Sequence, residues 1–278
     1  MNRIDSQETL AATSARRILR RTRGTEHGGI RRLMSPGTLG RSLKPFVFLD
    51  LFDLDLHDPR AEFPIHPHSG IATITVLADG DMRFDDPAGG MGRIGFGGFE
   101  WMRAGVGVWH GKEMSAGDSP RVKGFQLWIA LGPGLELAPV DSQYVEADQV
   151  PASGPARVIL GSYGAARSPA RAPDGIRAWL AVASGALEGD TAATAGDMLV
   201  FEQSGQSFTV QASAEGDAVI VIGSAVPHAH ELHLGHYSVH TSAAALARGE
   251  ANIEHLRTLL TAAGDRRQAT GSVPVFQG

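Results

Sequence analysis

The run Ile71-Ala-Thr-Ile-Thr-Val-Leu77 narrows the fold more than any other feature of the chain. β-Branched side chains suit a pleated surface and crowd a helical turn, so the segment reads as a strand. Asp79-Gly80 behind it is a hairpin signal, with Met82 to Phe84 starting the return. Similar runs recur between glycine and proline punctuation. They lie at Pro45 to Leu56, Glu100 to Arg103 and Gly124 to Leu131, then at Arg157 to Leu160, Ile176 to Val182, Asp197 to Phe201, Ser207 to Val210 and Ala218 to Ile222. Short strands with regular turns describe an all-β sandwich or jelly roll, and 35 glycines supply the turns. The Pro45 to Leu56 run is apolar at both parities, so it is expected to be covered on both faces.

Pro133, Pro139, Pro151 and Pro155 mark residues 132 to about 155 as a connector between two β-rich halves. The halves share a coarse strand and turn pattern, which makes an internal duplication plausible. Residues 1–25 are polar and basic and read as a mobile arm that packs only in part. From Ala243 to Ala263 the period becomes helical, with Ser242 as N-cap, Gly264 as C-cap, and Gly249 and Asn252 as a potential break.

The formal charge is -5, and the one basic cluster, Arg16 to Arg23, reads as a solvated terminal segment. That argues against direct nucleic-acid binding, which needs a basic clustered footprint. The chain has no cysteine, so disulfides and thiolate metal sites are excluded. No apolar run of signal-peptide or membrane-spanning length is present, and the expectation is a cytoplasmic protein without a membrane partner.

The chemistry concentrates in His66-Pro67-His68. Residues two apart on a strand face the same side, so two imidazoles point into one space. His110 follows on a separate glycine-edged strand, with Glu113 close behind. Three imidazoles with one carboxylate and open positions suit a divalent transition metal of the non-heme iron type. The spacing equally allows three barrel histidines with ordinary hydrogen bonds. A second segment carries His228, His230, His236 and His240; it reads as a polar loop and strand with solvent-facing histidines, against a second metal site. Trp101, Trp109 and Trp128 lie near the proposed ligands, as core residues or as the wall of an aromatic pocket.

The run Phe63 to Leu77, the Trp101-Met-x-Ala-Gly-x-Gly-Val-Trp-His110 segment and Gly124-Phe-Gln-Leu-Trp128 resemble the signatures of the pirin family, a group of bicupins. The match spans roughly residues 40 to 145, with Gln143-Tyr144 fitting as well. Gly161-x-Tyr163 and the closing helix fit more loosely. The resemblance implies two cupin domains, each a jelly-roll type antiparallel β-barrel, with a C-terminal helix. Their expected bounds are 26–145, carrying the metal site, and 146–278. It implies Fe(II), or another divalent transition metal, held by His66, His68, His110 and Glu113. Two departures stand out. Ser69 replaces the arginine that many pirins have after His-Pro-His. Glu113 stands one residue beyond the usual glutamate position, which Lys112 occupies. A one-residue slip turns a strand side chain to the other face unless a bulge at Gly111 absorbs it. Should Glu113 fail, water, Glu100 or Asp85 would serve. Two functions follow from the resemblance. One is a quercetin 2,3-dioxygenase-type enzyme acting on a small planar aromatic substrate, with Glu113 as catalytic base. The other is a non-catalytic, metal-dependent regulator that binds a protein partner, a transcription factor or a metabolic enzyme.

Overall fold

A computed structural model of the protein describes residues 15–58, 65–86, 90–111, 114–168 and 177–262. The first half is built on a seven-stranded antiparallel sheet. Its order is Asp141–Val145, Phe99–Arg103, Ile71–Asp79, Arg121–Ala130, Phe46–Asp55, Ile30–Met34 and Thr25–His27. The strand Phe46–Asp55 is buried on both faces, as its double apolar parity requires: Val47 and Leu49 are fully buried, and so nearly are Phe46 and Phe48. Two smaller sheets accompany it. One joins Met114–Ala116, Met82–Asp86 and Gly90–Ile94; the other pairs Val108–His110 with His66–His68.

The second half carries a four-stranded sheet in the order Ile18–Thr22, Met198–Phe201, Arg177–Ser184 and Val219–Ala225. One continuous core joins the halves. Trp179, Met198 and Val200 of the second pack with Met34, Phe46, Leu49 and Phe125 of the first. The helix Ala243–Ala262 lays Ile253, Leu256 and Leu260 on Ile65 and Trp109. Among the described residues no helix is long and apolar enough to cross a membrane.

Several expectations change. Of the arm expected over residues 1–25, Ile18–Thr22 is a strand at the edge of the second sheet, pairing with Met198–Phe201. Arg23 there bonds the Asp197 carboxylate at 2.9 Å, so the basic residues are partly spent on pairing across the molecule. Gly80 does turn the chain, at φ 74°. The strand that follows, however, joins the separate three-stranded sheet instead of returning beside Ile71–Asp79. The connector over 132–155 contributes the edge strand Asp141–Val145. Ser207 to Val210 is not a strand; pairing there begins at Gln211. The helix runs through Gly249 without a break, and the Ser242 hydroxyl accepts the Ala245 N–H at 3.1 Å as its N-cap. Gly264 lies outside the described residues.

Candidate metal centre

The strand pair His66–His68 and Val108–His110 sets the geometry. In its antiparallel register His66 faces His110 and His68 faces Val108, with Pro67 opposite Trp109. Directly opposed residues share a face, and so do residues two apart on one strand. Both relations operate here, and the three imidazoles meet. Ring centroids are 4.8 Å apart for His66 and His68, 4.6 Å for His66 and His110, and 5.0 Å for His68 and His110. One ring nitrogen from each lies within 4.8 Å of the others. His68 and His110 are buried and His66 is half-buried.

The donor set fits a transition metal. The His68 Nδ1 faces the Tyr237 carbonyl oxygen at 3.2 Å. Its Nε2 is buried with no hydrogen-bond partner among the described residues. Such a nitrogen is costly unless something accepts its lone pair. Burial, reinforced by the like charges of His66 and His110, pushes the His68 imidazole well below its ordinary value and keeps it in the neutral, ligating form. With three imidazoles converging among the described residues, the site suits a borderline divalent ion such as Fe, Ni or Zn.

The lowered His68 proton affinity makes a prediction for the metal-free protein. The unfolded chain takes up a proton at this residue near pH 6.5, whereas the folded chain does not. Stability conferred by folding is therefore lost as pH falls through that value. The thermal midpoint of metal-free protein is expected to drop between pH 8 and pH 5. A His68→Gln variant should show a shallower fall, and an identical slope would contradict it. His240, lowered chiefly by burial, adds to the effect in both proteins.

A cavity of about 560 Å³ opens beside His66. Phe48 and Trp128 form its apolar wall, stacked at 4.2 Å and 14°. The Trp128 ring also meets His68 edge-on at 4.8 Å. Arg32 and Asp50 form the polar wall, joined by two 2.9 Å hydrogen bonds, and the Arg32 guanidinium sits 4.4 Å over the Phe48 ring. Tyr237 closes one side, its ring 5.6 Å from that of His66.

His66, His68 and His110 thus come together. Glu113 lies outside the described residues. Neither Glu100, within Phe99–Arg103, nor Asp85, within Met82–Asp86, is among the described groups that converge with the histidines. Of the tryptophans, Trp128 lines the cavity. Trp109 is core, its indole N–H donating to the Ile253 carbonyl at 3.0 Å. Trp101 packs with Phe99, Val145 and Val150. In the second histidine segment His230 and His236 are exposed. His240 is not solvent-facing as expected: it is buried between Glu136 and Ser69. Sequence reasoning missed Tyr237, Glu136 and the packing role of His240. Tyr237 lies in a bend and Glu136 in a turn, and the strand that carries His240 is two residues long, so none of them has a period to read.

Residues 29–129 match the family model for Pirin. A pirin-like protein of Caulobacter vibrioides is 44% identical over 108 residues, which are 38% of this chain and 39% of that protein. The matched segment therefore spans well under two thirds of that relative's length. A quercetin 2,3-dioxygenase structure from Acinetobacter baumannii superposes with TM-score 0.72 at 23% identity, covering 87% of this chain and 98% of that one. The bacterial pirin YhhW from Escherichia coli, in complex with nickel(II), superposes with TM-score 0.52 at 18% identity, covering 77% and 99%. These likenesses give the fold as all-β, of the two-cupin type with a C-terminal helix. The His-Pro-His strand and its His110 partner lie inside the region that matches the Pirin model, so over residues 29–129 the chain is similar to the pirin family.

Proposed function

We propose that His66, His68 and His110 hold one divalent transition metal, Fe(II) foremost, and that the protein acts as a quercetin 2,3-dioxygenase-type enzyme on a small planar aromatic substrate. One observation carries the reading: three converging imidazoles sit beside a cavity walled by a stacked Phe48 and Trp128. The name of the Acinetobacter neighbour supplies the reaction class, and the nickel of the Escherichia coli neighbour supports a metal in this fold.

When bound, the metal would act as a Lewis acid that lowers the pKa of a coordinated substrate hydroxyl. The remaining work falls to the protein. Phe48 and Trp128 offer flat apolar surface for stacking an aromatic ring. Arg32, oriented by Asp50, places positive charge at the cavity wall, where an electron-rich phenolate is favoured. Burial of His68 and His110 keeps water away from the inner side of the cluster. Gly111, at φ 134°, departs from strand geometry just after His110. A bulge at that glycine would return Glu113 to the ligand side as fourth ligand and proton acceptor.

The test is anaerobic loading of the recombinant protein with Fe(II), followed by quercetin and O2. Loss of the flavonol absorbance together with O2 uptake is expected, and His66→Ala should abolish both. Bound metal with unchanged quercetin would remove the enzyme reading for that substrate and favour a metal-dependent regulator.

A further inference from the structure

The segment from Gly235 to Thr241 belongs to the second half of the chain, yet it lies against the histidine cluster of the first. Tyr237 within it adopts φ 57°, a left-handed conformation that a bulky residue rarely takes and that its surroundings must hold in place. The holding contacts are visible on both sides. Before Tyr237, the His236 N–H donates to Glu250 at 2.9 Å, and the Gly235 N–H donates to the Ser238 carbonyl at 2.9 Å. After it, Ser238 forms a parallel bridge with Ser69, the residue next to His68. The Val239 N–H donates to the Ser69 carbonyl at 3.2 Å.

Beneath that bridge runs a buried polar chain. Ser69 Oγ lies 3.0 Å from Ser238 Oγ and 2.9 Å from His240 Nε2. His240 Nδ1 lies 3.2 Å from Glu136 Oε2. The Thr241 N–H and hydroxyl donate to the same carboxylate at 2.7 and 2.6 Å. Ser69, His240 and Glu136 are all buried. A carboxylate, an imidazole and a hydroxyl in line look like a nucleophile with its base, but no substrate fits. A Cβ on Gly249 of the helix would stand 2.5 Å from His240 Nε2 and 2.6 Å from Ser69 Oγ, so helix backbone seals the hydroxyl in.

The chain therefore has a different use. A carbonyl oxygen only accepts, so the contact between Tyr237 and His68 Nδ1 places the His68 proton on Nδ1 and leaves the Nε2 lone pair free within the cluster. We propose that Gly235 to Thr241 is a positioning element: the Tyr237 carbonyl fixes the tautomer and ring orientation of His68, and the Glu136–His240–Ser69 chain clamps that carbonyl in place. This assigns Ser69, where many pirins carry arginine, a role that its pairing with Ser238 and His240 explains. The purpose of the device rests on the metal reading above; the tautomer itself does not.

The test uses full-length protein with 15N-labelled histidine. Long-range proton–nitrogen NMR of the metal-free protein, with the His68 signals assigned by their loss in His68→Gln, should show His68 in a single Nδ1–H form. In Ser69→Ala and His240→Ala that form should give way to a tautomer mixture. Calorimetric titration with Ni(II) alone should show affinity lowered roughly 10–100-fold in each, the range for lost outer-shell partners. If His240→Ala does not fold, the milder Ser69→Ala decides. An Nε2–H or mixed His68 in the unaltered protein would overturn the proposal. So would folded variants with an unchanged tautomer and an Ni(II) affinity within twofold. A fixed Nδ1–H form in a protein that binds no Ni(II) would uphold the positioning and remove the metal reading instead.

Discussion

Replacing His68 by glutamine is expected to weaken binding of Ni(II) or Fe(II) by more than ~100-fold while the protein stays folded. His68 is the most deeply buried of the three imidazoles, and its Nε2 is the clearest lone pair without a described partner. Glutamine has similar volume, so the cost is not a large cavity. Its amide oxygen is a poor ligand for a borderline ion. Losing an outer-shell partner alone costs 10–100-fold in related sites, so losing a direct donor should exceed that. The stability penalty of leaving one amide imperfectly bonded is about 1–3 kcal/mol, below the total stability of an ordinary domain. Titration calorimetry, with circular dichroism as the folding check, makes the measurement. A folded variant that binds within tenfold of the unaltered protein would show that His68 is not a ligand.

Trp179→Ala should lower stability by about 3–5 kcal/mol, a large part of what a protein of this kind possesses. Trp179 is fully buried and meets Phe46 edge-on at 5.5 Å. Behind it a Cβ on Gly223 would come within 2.4 Å of the indole, so the ring is gripped from both sides and a void left there cannot readily collapse. Because the same cluster holds Met34, Leu49 and Phe125 of the first sheet, the loss is shared by both halves. Urea denaturation should give a lower midpoint, a single transition, and loss of metal binding coincident with it. Two separated transitions, with metal affinity surviving the first, would show that the halves are independent.

Part of this architecture was legible in the sequence. The β-branched run Ile71 to Leu77 and the doubly apolar run Pro45 to Leu56 both form strands, since strand preference and two-sided burial are local properties. His66 and His68 share a face because the strand period is two. That His110 completes the cluster follows from register, with His110 directly opposite His66, and spacing along the chain carries no register. The Asp79-Gly80 turn was legible as a turn, but its destination was set by packing of Met82 and Phe84 against Phe52, Leu77 and Val122 of the large sheet. His240 misleads for a similar reason. Its burial depends on Glu136 and Ser69, 104 and 171 residues away, and nothing near residue 240 announces either partner. The basic arm pairs with Asp197 and Glu202 across more than 170 residues, which local composition cannot register.

X-ray absorption at the metal edge of the Ni(II)-loaded protein tests the central claim most directly. One ion per chain with imidazole scattering from three histidines is expected, falling by one imidazole in His68→Gln, His66→Gln or His110→Gln. A spectrum with one imidazole or none, unaltered by any of these substitutions, would place the ion elsewhere and contradict the assignment.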